Sequence, residues 1–207
     1  MFAKSGSASA QRHAMGLAAL AVFLALGSFA ARPSATERRD ALAGQLLVAS
    51  EEMTDPRFVE SIIYIVKHDK EGTMGLVINR PQAQGPIDDL LRGFGAEAEG
   101  SAEEIVIHYG GPVSRRQGFL LHSDDMVLEN SIRVKDGIAA TSDTEIIQAI
   151  ATGKGPGQFL FMLGYAGWAP GQLDGEMEAK TWAIVPADKS LIFGKDAEKK
   201  WRQAIDR

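Results

Sequence analysis

The chain contains 207 residues, of which 45% are hydrophobic and 24% are charged, and this composition indicates one globular domain rather than a collagen-like, disordered or polytopic membrane protein. It contains no cysteine, which excludes disulfides, zinc–thiolate sites, iron–sulfur clusters and a thiol nucleophile. Residues 1–40 carry five basic and two acidic side chains, whereas residues 41–207 carry 17 basic and 25 acidic ones, so the acidic second part disfavours direct contact with nucleic acid.

The first part of the chain holds a long apolar segment. Residues 15–31 contain no charged side chain and follow Lys4 and Arg12, a pattern typical of a signal peptide with cleavage near Ala30. A membrane span needs about 17 to 25 apolar residues, so the segment also suits an anchor. Residues 1–40 are therefore interpreted as a leader or membrane anchor with its linker. Export to the periplasm after cleavage, a membrane tether and an unused extension all stay open.

From residue 41 onward, short apolar runs broken by Gly, Pro and Asp predict a domain of strands with a few helices between them. In chain order we predict strands at 44–49, 61–66 and 74–78, a helix at 86–94, strands at 105–109 and 118–121, a helix at 145–152, a strand at 159–163, a helix at 172–180, a strand at 182–185 and a helix at 196–205. A polar loop ending at Gly72 predicts an antiparallel pair of the second and third strands, and Pro81 closes the third strand. With about seven or eight strands, about four helices and few helical crossovers, the pattern favours a single α+β domain on a largely antiparallel or mixed sheet.

The titratable residues do not form a recognisable catalytic or metal-binding motif. His68, His108 and His122 fall at or inside strands, and their spacing does not place two imidazoles on one metal. The serines lack a G-x-S-x-G context, and residues 153–157 lack the Lys-Ser/Thr ending of a P-loop. An enzyme of hydrolase type that pairs one of the three histidines with a carboxylate stays open as an alternative. No metal and no cofactor are expected.

Three segments combine glycine, proline, aromatic and charged residues more densely than turns alone require. They are residues 54–58 (TDPRF), 109–113 (YGGPV) with 118–122 (GFLLH), and 164–173 (GYAGWAPGQL). Residues without a Cβ beside aromatic rings let a ligand or another backbone come close. The segments therefore form either a ligand cleft or tight loops that cap a β core.

The same segments resemble the YqgE/AlgH family, also called UPF0301 or DUF179. The matching stretches cover nearly all of residues 41–207, and the two most specific are GTMGLVINRP at 72–81 and GYAGWAPGQL at 164–173. The resemblance implies a compact α+β domain with a mixed, barrel-like sheet flanked by helices, in a bacterial cytosolic protein. The family name also implies a role in transcriptional regulation, and the family supplies no established catalytic residue.

We therefore expect a non-enzymatic binding module with a regulatory role, whose partner is a small molecule or another protein. The candidate ligand-binding residues are Arg57, Asn79, Arg80, Gly110, Gly111, Tyr165 and Trp168. A transcriptional regulator that touches DNA is the first alternative, and it requires a basic surface stripe. The enzyme that uses His68, His108 or His122 is the second. The expected location is the cytosol, with a possible tether through residues 15–31.

Overall fold

The computed structural model describes residues 42–98 and 100–207, which form ten strands and five helices. The strands are β1 (Gln45–Ala49), β2 (Ile62–Asp69), β3 (Gly72–Val77), β4 (Pro81–Pro86), β5 (Glu104–Tyr109), β6 (Val113–Ser123), β7 (Ile132–Lys135), β8 (Ile138–Thr141), β9 (Phe159–Trp168) and β10 (Trp182–Pro186). The helices are α1 (Ile87–Gly93), α2 (Glu145–Ala151), α3 (Gln172–Glu178), α4 (Lys189–Phe193) and α5 (Ala197–Ile205). No helix in this part of the chain is long and apolar enough to cross a membrane. The predicted leader at 15–31 lies outside the described residues.

All ten strands of the described part belong to one connected sheet. Its main order is β10-β1-β2-β3-β9-β6-β8-β7, and β5 joins β9 and carries β4 on its other side. Every pairing is antiparallel except that of β5 with β9. The α+β class and the largely antiparallel sheet are thus confirmed. The sheet curls so that β7 lies against β2, but β7 pairs only with β8, so the barrel-like form is open.

Strand β9 is the branch point of the sheet. Residues 161–163 pair with β5, and residues 166–168 pair with β3. Gly164, between these two stretches, has a φ of +75°, a region that L side chains rarely adopt. Strand β9 therefore changes its partner from β5 to β3 on either side of Gly164.

Buried side chains form three apolar layers. The inner layer lies within the curled sheet and is covered by α4 and α5. A second layer lies between α3 and the outer face of β1, β2 and β3, and a third lies between α1, α2 and the outer face of β5, β6 and β9. In β2, Ile62 and Tyr64 belong to the inner layer and Ile63 and Ile65 to the second. This explains why β2 is continuously apolar, because a strand covered on both faces shows no alternation.

The sequence does not predict two strand regions, β4 and the hairpin of β7 and β8. Strand β4 has the sequence PQAQGP and is mostly exposed, so it carries no apolar pattern; Pro81 opens this strand, as proline can at an edge. The hairpin of β7 and β8 was also missed. Strand β6 is longer than predicted because it includes residues 114–117, which are exposed and lie beside an irregularity in the pairing with β9.

Helix α5 is fixed to the sheet by two buried polar side chains. The indole Nε1 of Trp201 donates to the carbonyl of Ala49 at 2.8 Å. The amine of Lys200, only 2% exposed, donates to the carbonyls of Ile192 at 2.6 Å and Ile78 at 3.2 Å. Burial lowers the pKa of Lys200 to about 8. The amine therefore ties α4 and α5 to the end of β3.

Gly111→Ala should strongly destabilise the domain. A Cβ there would lie 2.1 Å from the carbonyl carbon of Tyr165, and the φ of +151° disfavours any L side chain. We expect the free energy of unfolding to fall by about 3 kcal/mol, from steric overlap and backbone strain together, as measured by urea denaturation. Gly153→Ala is the control, since its φ is +70° but its surroundings are open, and it should cost about 1 kcal/mol. Equal losses would show that the backbone contact at Gly111 is unimportant.

The buried amine of Lys200 should also shape the pH dependence of stability. Its pKa falls from an ordinary value of 10.5 to about 8, so between these values the unfolded chain binds more protons than the folded chain. The contribution of Lys200 to the free energy of unfolding then rises with pH by up to about 1.4 kcal/mol per pH unit, and is lost as pH falls. Lys200→Met should remove this slope in urea titrations between about pH 8 and 10. The exposed Lys70→Met should keep it, and parallel profiles for all three proteins would contradict the assignment.

Candidate functional site

Three of the predicted site residues line one open cleft of about 910 Å³. We call it the arginine cleft. It lies between the loop before β2, the connection from β3 to β4, the segment that joins β5 to β6, and the start of α5. Its lining residues are Arg57, Val59, Glu60, Asn79, Arg80, Pro81, Gln82, Tyr109, Pro112, Arg115, Ala197, Glu198 and Trp201. A volume of this size is within the range of small-molecule sites.

Arg57 is held at the edge of this cleft by the preceding Asp-Pro turn. One oxygen of Asp55 accepts from the backbone N–H of Arg57 at 2.9 Å and from its Nε at 3.0 Å, and the other accepts from Nη2 at 2.6 Å. The side-chain hydrogen bond from Arg57 is the main cause that lowers the pKa of Asp55. The guanidinium is thus pre-positioned and partly neutralised while it stays largely exposed.

Asn79 fastens two walls of the cleft together. Its Oδ1 accepts from the backbone N–H of Ile62 at 2.9 Å, and its Nδ2 donates to the carbonyl of Glu60 at 2.8 Å. The next residue, Arg80, donates from its guanidinium to the carbonyl of Val59. These bonds hold Glu60 at a φ of +54°, which costs a residue with a Cβ about 1 kcal/mol or more. The role of Asn79 is therefore to position the loop that carries Arg57.

Tyr109 lines the same cleft as three arginines. Burial raises the pKa of its hydroxyl, and the nearby guanidinium groups of Arg115, Arg57 and Arg80 oppose that rise. The phenol thus stays protonated at neutral pH and can donate a hydrogen bond. Among the described residues, neither Arg80 nor Arg115 forms an ion pair with an acidic side chain.

A second cleft, of about 660 Å³, adjoins the first and shares Arg57 and Pro112 with it. We call it the tryptophan cleft. Its lining residues are Ser50, Glu52, Met53, Thr54, Asp55, Arg57, Phe58, Pro112, Val113, Gly167, Trp168, Gln172, Glu176, Ala179, Lys180, Thr181 and Trp182. The ring of Trp182 makes edge-to-face contacts with Phe58 and Trp168, with centroids 5.6 and 6.1 Å apart.

Glu176 organises the wall of the tryptophan cleft. Its Oε2 accepts from Nε1 of Trp168 and from Nε1 of Trp182, each at 2.8 Å. Its Oε1 accepts from Nε2 of Gln172 at 2.9 Å. Two strands and one helix therefore meet at a single carboxylate.

The structure distributes the seven predicted ligand-binding residues over three environments. Arg57, Asn79 and Arg80 line the arginine cleft, and Trp168 lines the tryptophan cleft. Gly110, Gly111 and Tyr165 line neither cleft. A Cβ at Gly110 would lie 2.2 Å from the carbonyl oxygen of Gly164, so both glycines admit another backbone, and Tyr165 packs on Phe119 at a centroid distance of 5.7 Å.

Sequence reasoning missed four residues that shape the clefts: Tyr109, Arg115, Glu176 and Trp201. Arg115 lies in the polar stretch between the predicted strands at 105–109 and 118–121, and Tyr109 is the first residue of the YGGPV segment. Glu176 follows Gln172 by four residues on a predicted helix, a spacing that brings side chains together. Its two tryptophan partners, however, come from separate strands, so spacing alone does not reveal the contact.

The three histidines of the enzyme alternative lie apart in hydrogen-bonded positions. Nδ1 of His68 bonds to the hydroxyl of Thr73 at 2.6 Å, Nδ1 of His108 to the carbonyl of Phe161 at 3.1 Å, and Nδ1 of His122 to the carbonyl of Ser123 at 2.9 Å. None of them lines the arginine or tryptophan cleft. Burial is the main cause that lowers the pKa of His108 and of His122. Residues 42–98 and 100–207 contain no group of three His, Asp or Glu side chains placed to hold a metal ion.

Comparison with known proteins places the chain among relatives of similar length. The DUF179 family model, described as AlgH-like, matches residues 46–207. A UPF0301 protein of Methylococcus capsulatus is 42% identical over 173 residues, which cover 84% of this chain and 94% of that protein. A UPF0301 protein of Nitrobacter hamburgensis is 41% identical over 174 residues, which cover 80% of this chain and 81% of that protein. The solution structure of the AlgH protein from Pseudomonas aeruginosa superimposes with a TM-score of 0.70 at 32% identity, over 85% of this chain and 91% of that one.

Asn79→Ala should destabilise the loop that carries Arg57. The substitution leaves the N–H of Ile62, a fully buried residue, without its acceptor. Loss of such a partner costs about 2 kcal/mol. Urea denaturation should show this loss, and hydrogen exchange should show faster exchange of the Ile62 amide. Asn130→Ala, at an exposed position, should change stability by less than about 0.5 kcal/mol. An unchanged Ile62 exchange rate in Asn79→Ala would contradict this role of Asn79.

Proposed function

The chain belongs to the AlgH-like DUF179 family, and from that premise we propose that it is a binding module with a regulatory role whose arginine cleft takes up a small anionic ligand. The observation that carries the proposal is that Arg57, Arg80 and Arg115 line one cleft together with the phenol of Tyr109. Carboxylates and phosphate esters are the anions that suit such a set of donors, because a guanidinium binds their oxygens in pairs.

The charge balance of the domain supports an anion site at this place. Residues 41–207 hold 25 acidic and 17 basic side chains, so positive charge concentrated in one cleft stands against an acidic background. Two acidic residues, Glu60 and Glu198, also line the cleft, but neither forms an ion pair with its arginines. The acidic remainder of the domain repels large polyanions, so the unpaired arginines of the cleft favour small anions that fit inside it.

The residues of the cleft divide into binding and positioning groups. Arg80, Arg115 and the Tyr109 hydroxyl would donate hydrogen bonds to the anion, while Asp55 and Asn79 hold the loop of Arg57 in place. The buried ring of Trp201 provides an apolar patch at the floor. Within the described residues, the lining of the cleft includes no serine, threonine, histidine or lysine that could act as a nucleophile, which is why binding is proposed in preference to hydrolysis.

Arg115→Gln should weaken the binding of inorganic phosphate by about tenfold, since one charge-assisted hydrogen bond contributes about 1.5 kcal/mol or more. Titration followed by amide chemical shifts measures both the affinity and its location. In the unmodified protein, the shifts should concentrate at Arg57, Arg80, Tyr109 and Arg115. They should weaken as ionic strength rises.

Arg116→Gln is the matched control for this experiment. It removes the same charge one residue along β6, but Arg116 does not line the arginine cleft, so its phosphate affinity should stay within about twofold of the unmodified protein. Equal weakening by both substitutions, or shifts scattered over the surface, would overturn the cleft as the site. Tight binding of a DNA duplex with a steep salt dependence would instead support the alternative of a regulator that contacts DNA.

A further inference from the structure

We propose that the tryptophan cleft binds a primary ammonium or guanidinium group, and that the ligand of the two adjoining clefts is therefore zwitterionic, with its anionic group at Arg80 and Arg115 and its cationic group at Glu176. The inference rests on the proposed function for the anionic half only. The cationic half is carried by separate observations on α3 and the strands beside it.

The first observation is a carboxylate with unused capacity. An ionised carboxylate has about four acceptor sites, and Glu176 uses three of them: two on Oε2 for the indole N–H groups and one on Oε1 for Gln172. All three donors are neutral, and Glu176 forms no ion pair with a described Lys, Arg or His side chain. A half-buried negative charge thus stands in the cleft wall with one acceptor site left for a cationic N–H donor.

The second observation concerns the aromatic side chains around this acceptor site. The rings of Phe58, Trp168 and Trp182 line the same cleft, and aromatic rings attract organic cations through their π systems. An ammonium or guanidinium group in this cleft would therefore meet aromatic rings together with the free acceptor site of Glu176.

The charges of the cleft agree with a cationic occupant. Asp55 and Arg57 neutralise each other through their paired hydrogen bonds. This leaves Glu52 and Glu176 against Lys180, so the remaining balance is negative. In the arginine cleft, Arg80 and Arg115 stand beside Glu60 and Glu198 without forming ion pairs with them, and the shared Arg57 and Pro112 form the boundary between the two clefts. A ligand that carries both charges complements both clefts, whereas a simple anion complements one.

A series of ω-aminoalkylphosphonates with two to six methylene groups tests the inference, with propylphosphonate and propylamine as its separated halves. We expect propylamine to shift the indole N–H signals of Trp168 and Trp182, and propylphosphonate to shift the amides of the arginine cleft. One member of the series should bind at least about tenfold more tightly than propylphosphonate, because a linker that matches the span makes the second contact intramolecular.

Glu176→Gln should abolish the gain from the amine and leave propylphosphonate binding unchanged. Glu178→Gln, the same change at an exposed position on α3, is the matched control and should keep the gain. Equal affinity of aminoalkylphosphonates and propylphosphonate, with no indole response to propylamine, would overturn the zwitterion while leaving the anion site intact. Failure of propylphosphonate to bind, with propylamine still at Glu176, would instead overturn the proposed function.

Because Glu176 accepts hydrogen bonds from two indoles, Glu176→Gln could also disturb the fold of the cleft. Lys180→Gln is therefore a second test of the cationic occupant, since it removes the positive charge that lines the tryptophan cleft without changing the side-chain hydrogen bonds of Glu176. Propylamine affinity should rise about twofold or more in this variant as repulsion is removed. A fall in affinity would count against a cationic occupant.

Discussion

Both clefts depend on the close contact of two backbones at Gly110 and Gly111. The N–H of Gly110 donates to the carbonyl of Leu163 on β9 at 2.8 Å, and its carbonyl accepts from Val77 on β3 at 3.0 Å. Gly110 thus joins β9 to β3 where β9 exchanges one partner strand for another. Gly111 then lies so close to β9 that no side chain fits. Because the chain crosses the branch point in this way, Tyr109 and Arg115 reach the arginine cleft, and Pro112 reaches both clefts.

The strands that could be predicted from the sequence are those with an unbroken apolar run, whereas β8 is buried but only four residues long. β2 and the first half of β9 are apolar on both faces, so their runs predict strands without knowledge of the fold. β4 and the start of β6 are exposed, and only their hydrogen bonds to β5 and β9 make them strands. Backbone hydrogen bonds do not require an apolar side-chain pattern, so the sequence does not predict β4 and predicts β6 too short.

The same distinction separates the predictable part of the site from the rest. Arg57 follows a proline turn and Arg80 precedes a proline, and such rigid positions draw attention in a sequence. Arg115 is brought to them by the order of strands in the sheet. That order depends on contacts between distant parts of the chain, so no local sequence pattern reveals it. The glycines of YGGPV show the opposite case: close approach was correctly expected, but the approaching group is the backbone of β9.

The two clefts present charged groups of opposite sign, Glu176 in one and Arg80 with Arg115 in the other. In the tryptophan cleft, Glu176 satisfies the N–H groups of two buried indoles, which need partners wherever they are buried. A neutral glutamine could accept from them as well, so hydrogen bonding alone does not demand a negative charge there. In the arginine cleft, likewise, the acids needed to neutralise Arg80 and Arg115 are present along the lining but remain unpaired. Glu176 on one side of Arg57, and Arg80 with Arg115 on the other, therefore keep hydrogen-bonding capacity that no ion pair among the described residues uses, and the proposed zwitterionic ligand would use both.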